Sequence, residues 1–332
     1  MHDNTFLHQL HLRAAGCNAR VAFPDALDIR TLEAASALAG SGILRPVLVG
    51  SPLAVRDVAA GHGISLQNVE IIDPVECSQR TDLVQEFMSI RPGKVTGIEE
   101  AKHRCSLPLI AAGMLLSMNE VDAVVAGSVS STSDVLRAAL ATVRLSPGVT
   151  TLSSYFLMIV HGRVMAFADC AVVPEPTAHQ LCDIAYSTSV NLQRVAQADP
   201  RVAFLSFSTK GSAESASVQR VRDAAQMFLE RHTDIPADGE LQADAALVPD
   251  VASRKAPNSP LHGDANVLVF PNLDAGNIGY KLTERLAGAV ALGPIVQGLS
   301  KPYCDLSRGC TADDIRNVAC IAVLMSQTVD TK

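Results

Sequence analysis

Residues 122–137 read Asp122-Ala123-Val124-Val125-Ala126-Gly127-Ser128-Val129-Ser130-Ser131-Thr132-Ser133-Asp134-Val135-Leu136-Arg137. Small apolar residues ahead of a glycine predict a strand buried on both faces, and the hydroxyl-rich turn leads into a helix over Ser131–Val143. The same alternation extends towards the N-terminus. It predicts strands at Val21–Phe23, Pro46–Gly50 and Val69–Asp73, helices at Asp28–Leu38, Pro52–His62 and Thr81–Ile90, and a long helical region over Glu99–Met118. Strands and helices alternating at this spacing make a parallel sheet covered on both faces. Near Pro147-Gly148 the pattern changes. Ser153–His161 and Arg163–Val173 predict two strands joined as a hairpin at His161-Gly162-Arg163. Alternation then resumes, with helices at Ala178–Ala196 and Glu214–Arg231 and strands at Val202–Ser208, Asp244–Val248 and Asn266–Phe270. A loop over Ser253–Asp264 precedes the last strand, and helices at Asn277–Ala287 and Asp313–Met325 close the chain. The fold class is α/β, in two lobes, the second containing a hairpin.

Composition narrows the function classes. The 332 residues are 48% hydrophobic and 18% charged, below the roughly 25% charged of an average soluble domain. Disorder needs the opposite balance. The 27 Lys+Arg against 34 Asp+Glu, a net charge of −7, argue against a nucleic-acid surface but leave room for a small anion met by a few placed arginines. Neither Leu107–Met118 nor Tyr155–Val160 reaches the roughly 18 residues of a spanning helix, and residues 2–13 lack the pattern of a secretory signal. Eight cysteines with no C-x-x-C are expected to be packed thiols, in a cytoplasmic, metal-free protein.

Three loops hold residues suited to chemistry. Gly127–Ser133 lies between a strand and a helix, where free backbone N–H groups receive anions. Gly127 permits close approach, Ser128, Ser131 and Thr132 add hydroxyls, and Arg137 follows on the helix. Helix capping by Ser131 or Ser133 explains the same residues without a ligand. Ser208-Thr209-Lys210-Gly211-Ser212 is a second such junction, for which capping suffices. The third is Asp305-Leu306-Ser307-Arg308-Gly309-Cys310-Thr311-Ala312-Asp313-Asp314. Here Arg308 is a planar cation suited to phosphate, while Thr311-x-x-Asp314 also has the form of a capping box.

Read with their surroundings, these loops resemble the phosphate acetyltransferases over most of the chain. The resemblance is carried by Val21–Asp25 with Asp28-Ile29-Arg30, Val124–Leu140, Ala168–Val172 with Pro176-Thr177-Ala178, and Asp238–Gln242 with Asp244-Ala245-Ala246. It continues through Gly263–Val267, Ala275–Lys281, Gly293–Ile295 with Gln297–Leu299 and Lys301-Pro302, and Asp305–Gly309. Two departures stand out: Ala26-Leu27 where the family has Gly-Glu, and Arg91-Pro92-Gly93-Lys94-Val95, which keeps two cations but loses a third and a histidine.

The resemblance implies reversible acetyl transfer between coenzyme A and inorganic phosphate, with coenzyme A as substrate and no resident cofactor or metal. It implies an isocitrate/isopropylmalate dehydrogenase-like, two-lobed α/β/α fold with a cleft between the lobes, and a homodimer without nucleic-acid or membrane partners. The first lobe is expected over 1–148 plus 294–332, the second over 149–293. Motif position implies Ser307, Arg308 and Asp314 as catalytic residues. Arg308, Ser128, Ser131, Thr132 and Arg137 would take acetyl phosphate, and Arg91, Arg137 and Arg30 coenzyme A. The mechanism implied is direct attack by the thiolate in a ternary complex. The alternatives are a phosphate butyryl- or propionyltransferase, a non-catalytic acyl-CoA-binding protein, or a metal- and NAD-dependent decarboxylating dehydrogenase. The last would need Asp305, Asp313 and Asp314 to gather round a metal, and the sequence has no dinucleotide glycine fingerprint.

Overall fold

The computed structural model describes residues 2–327. Its strands are β1 (Arg20–Phe23), β2 (Arg45–Val49), β3 (Glu70–Ile72), β4 (Ala123–Ala126), β5 (Ser153–Val160), β6 (Arg163–Ala168), β7 (Val202–Leu205), β8 (Ala237–Leu241), β9 (Val267–Val269), β10 (Val290–Gln297) and β11 (Tyr303–Asp305). The chain divides into two compact units, one of Asn4–Ser146 with the segment from Leu299 onward, the other of Pro147–Gly298.

In the first unit the sheet order is β11-β4-β1-β2-β3, every pairing parallel. All four residues of β4 are buried, as a strand covered by helices on both faces requires. The chain winds outward from β1 through β2 to β3, then returns to β4 on the other side of β1. The order therefore reverses between β1 and β4, the place where open α/β sheets gather ligands. The turns that leave these two strands, and the turn that leaves β11, end up side by side. The core beneath them includes Val47, Phe87, Leu115, Val124 and Tyr303, whose hydroxyl donates to the Leu109 carbonyl at 2.9 Å.

The expected long helix over Glu99–Met118 is two, Ile98–Cys105 and Pro108–Ser117, because Leu107 is extended ahead of Pro108. A helix over His2–Gly16 precedes β1, burying Leu10 and Ala14, and His11 bonds Asn317 at 2.8 Å.

The second unit has a mixed sheet, β10-β5-β6-β9-β7-β8. The hairpin between β5 and β6 is present, Val160 opposite Arg163, with His161 and Gly162 both at positive φ (49° and 81°) as a two-residue turn of this hand demands. One expected strand is corrected. Asp244–Val248 is not extended, since Ala243–Leu247 is a short helix and the strand is β8 just before it. The reason is chemical: β8 carries Asp238 and Glu240, whose charges are answered by Lys210 and Arg222, so the strand lacks the apolar pattern that marks the others.

Candidate active site

The turn after β4 is built around a glycine that has no substitute. Gly127 has φ 102°, and a Cβ there would lie 2.3 Å from Asp305 Oδ1 and 2.6 Å from the Leu306 nitrogen. Its amide donates to Asp25 Oδ2 at 2.7 Å, and Ser130 donates to Asp25 Oδ1 at 2.5 Å. Asp25, which follows β1, thus spans the reversal point and already fills part of the anion-receiving turn with a carboxylate of the protein. Ser128 is 1% exposed, with its hydroxyl 3.1 Å from that of Thr31. Ser131 caps the helix Thr132–Thr142, accepting from the Asp134 amide at 3.2 Å. Thr132, first in that helix, is exposed.

The turn after β11 meets this one through Arg30. Its Nη1 donates to the carbonyls of Arg308 and Cys310, both at 2.8 Å, and its Nη2 to the Ser128 carbonyl at 2.7 Å. Asp28 holds the same guanidinium through Nε at 3.1 Å and Nη2 at 2.7 Å. Arg30 is therefore a clamp between the two turns, with its donors committed to protein acceptors. It stands among the site loops as the sequence implied, but not as a cation open to coenzyme A.

Clamping the backbone of Arg308 leaves its side chain exposed, and among the described residues the guanidinium has no ion-pair partner. Ser307 is exposed beside it, its Oγ accepting from the Gly309 amide at 3.3 Å. Cys310 is 7% exposed, and burial raises its thiol pKa although Arg30 pulls it down, so it is a packed thiol rather than a ready thiolate. Asp314 forms a capping box with Thr311. Its Oδ2 accepts from the Thr311 amide at 2.8 Å and hydroxyl at 2.9 Å, and Oδ1 makes no bond among the described residues. Capping therefore occupies one oxygen of the carboxylate and leaves the other without a partner among the described residues.

A pocket of about 740 Å³ opens in the same unit, lined by Pro24, Asp25, Arg91, Arg104, Leu107, Pro108, Leu109, Ile110, Ser130, Asp134, Arg137, Ala138, Leu140 and Ala141. Arg91 and Arg137, paired by the sequence, share it, while Arg30 is not in its wall. Arg137 bonds Asp134 at 2.8 Å and Arg104 bonds Glu100. The Arg91 guanidinium makes no bond among the described residues, and its Nε is buried without a partner. Asp25 and Ser130 belong both to this wall and to the turn after β4. Among the described residues no group of three or more His, Cys, Asp or Glu is placed to hold a metal ion, and no helix is long and apolar enough to cross a membrane.

The sequence reading did not single out Asp25 or Arg104 as site residues, and named Asp305 only as a metal ligand under the dehydrogenase alternative. Asp25 had a signal, an acid directly after a strand that neighbours the glycine turn. Arg104 sits in a run, Glu99-Glu100-Ala101-Lys102-His103-Arg104, that reads as an ordinary solvated face. Asp305 is 1% exposed, and burial together with the charge of Asp25 raises its pKa to about 6 while the Thr132 hydroxyl and Leu306 amide pull the other way.

Comparison with known proteins finds similarity over nearly the whole chain. Residues 5–323 match the family model described as phosphate acetyl/butaryl transferase. The chain is 41% identical over 331 residues to a phosphate acetyltransferase of Acetivibrio thermocellus, covering 98% of this chain and 99% of that one. It is 43% identical over 310 residues to one from Bacillus subtilis, covering 93% and 95%. Among solved structures, the EutD phosphotransacetylase from Staphylococcus aureus superposes with a TM-score of 0.91 at 38% identity, covering 98% of this chain and 99% of that one. With the family model over residues 5–323, relatives 41% and 43% identical over nearly the whole chain and a matching fold, the chain belongs to the phosphate acetyl/butaryl transferase family.

Proposed function

We propose that the protein transfers an acetyl group reversibly between coenzyme A and inorganic phosphate, by direct attack of the coenzyme A thiolate on the carbonyl of acetyl phosphate in a ternary complex. The observation that carries this reading is Arg308: an exposed guanidinium without an ion-pair partner among the described residues, on a backbone fixed by Arg30, beside Ser307 and six residues before Asp314. A guanidinium binds a phosphate through two parallel charge-assisted bonds, stronger than neutral ones. Ser307 donates to the oxygen that gains charge in the tetrahedral state. Thr132 and the start of its helix add a second anion-binding edge, while Ser128 and Ser131 shape that edge from behind. The 740 Å³ pocket takes coenzyme A, its apolar wall at Leu107–Ile110 suiting the pantetheine arm and Arg91, Arg137 and Arg104 its phosphates.

The proton balance decides what Asp314 does. A carboxylate is a far weaker base than a thiolate, so a carboxylate alone does not drive deprotonation of a thiol. Arg308 stabilises the thiolate, and Oδ1 of Asp314 receives the proton in passing. Attack forms the C–S bond, the C–O bond to phosphate breaks, and phosphate leaves on Arg308, taking up the proton that Asp314 had received.

The two compact units serve as the two domains of a cytoplasmic homodimer. Packed thiols suit a reducing compartment, and the exposed stripe Ile278, Leu282 and Leu286 (57%, 53% and 81% exposed) offers a face to a second copy. Arg308→Gln tests the reading. Formation of acetyl-CoA from coenzyme A and acetyl phosphate is expected to fall about 10³-fold in kcat with an unchanged melting temperature. A folded variant with the wild-type rate would remove Arg308 from the reaction.

A further inference from the structure

Asp305 is the last residue of β11, opposite Ala126 of β4, and among the described residues neither carboxyl oxygen makes a well-formed hydrogen bond, the Thr132 hydroxyl and Leu306 amide holding it only loosely. It is 1% exposed, and its Oδ1 fills the space that any side chain at position 127 would need. Across Gly127 stands Asp25, which takes the Gly127 amide and the Ser130 hydroxyl. Two carboxyl groups therefore flank a single glycine at the strand-order reversal. The other polar groups facing Asp305 are the Thr132 hydroxyl, the Leu306 amide and, on its own strand, Tyr303. Ser307 and Arg308 follow two and three residues later. A buried acid held this loosely, set against the turn proposed to meet an anion, is sensitive to that anion's charge.

We propose that Asp305 is a positioning residue for the phosphate end of the acetyl-transfer site, accommodating the anionic substrate as an uncharged acid and opposing it as a carboxylate. The inference rests on the acetyl-transfer reading of Ser307 and Arg308. Its sign follows from burial and from Asp25, which favour the neutral form up to a pH of about 6. Above that pH the ionised side chain adds a second negative charge behind the Gly127–Thr132 turn, and phosphate binding must either meet that charge or draw a proton onto it. Proton uptake and anion binding are then linked.

The test measures KM for acetyl phosphate from pH 5.5 to 8.5 in the wild type and in Asp305→Asn, which keeps the shape but cannot ionise. The ratio of the two cancels the substrate's own titration. The wild-type KM is expected to rise relative to the variant above pH 6, by about tenfold at pH 8. A ratio that stays flat across the range overturns the proposal. Should the variant fail to fold, wild-type protein decides alone. Calorimetric binding of sulfate, a tetrahedral dianion that does not titrate near neutrality, is run at pH 7 in buffers of different ionisation heat. Uptake of more than roughly half a proton supports the proposal, and none contradicts it. Absence of acetyl transfer in the wild type would defeat the functional reading itself, whereas an active wild type with a flat ratio defeats only the role of Asp305.

Discussion

Each unit of the molecule has a pocket of similar size lined with charged residues, about 740 Å³ in one and 620 Å³ in the other, and they differ in what becomes of their charges. In the smaller, Lys210 is bonded to Asp238, and Arg222 reaches both Glu214 at 3.1 Å and Glu240 at 2.8 Å. Its cations have been spent on carboxylates of the protein. In the larger, Arg137 and Arg104 are likewise paired, with Asp134 and Glu100, but Arg91 has no partner among the described residues, and the neighbouring turns leave Arg308 open and Asp305 only loosely held. Charges answered from within hold strands together, and charges left unanswered are available to a substrate.

The comparison makes opposite predictions for two arginines. Arg91→Gln is expected to raise KM for coenzyme A about tenfold, close to 1.4 kcal/mol of lost binding, with a smaller effect on kcat. An unchanged KM would take Arg91 out of the coenzyme A site. Arg222→Gln is expected to leave both KM values alone and to lower the melting temperature by roughly 5 °C, because buried Glu240 loses its counter-charge.

The acid side of the stability curve sharpens the second case. Burial alone would push Glu240 up, but its bonds to Arg222, the Gly211 amide and Ser208 hold it at about 2, below the ordinary 4.5. A depressed carboxylate stabilises the fold above pH 4.5 and loses that contribution as pH falls from 4.5 towards 2. In Arg222→Gln the folded-state depression is largely removed, so the variant should lose less stability than the wild type as pH falls from 4.5. Thermal melts from pH 3 to 7 that coincide for variant and wild type would show that the pair does not hold β8.

What the sequence made legible follows the same division. Strands made of Val and Ala between glycines, the His161-Gly162 hairpin and the junction at residues 122–137 are local patterns, and local patterns can be read from one chain. β8 escaped because Asp238 and Glu240 are buried only by virtue of Lys210 and Arg222, 28 and 18 residues distant in sequence. The proposed site was readable where side-chain type alone suggests anion chemistry, at Ser307, Arg308, Arg91 and Arg137. The clamp made by Arg30 was not, since its meaning lies in the carbonyls of residues 128, 308 and 310, which no side-chain pattern marks. Nor was Asp305, whose importance comes from burial against a glycine 178 residues away.

The central claim is that acetyl passes directly from phosphate to sulfur, with Cys310 and every other thiol of the protein a bystander. Initial rates of acetyl-CoA formation, with coenzyme A and acetyl phosphate varied against each other, test this most directly. A ternary complex predicts intersecting lines in a double-reciprocal plot and no label retained on protein exposed to radiolabelled acetyl phosphate alone. Parallel lines, with acetyl recovered on the chain, would contradict it.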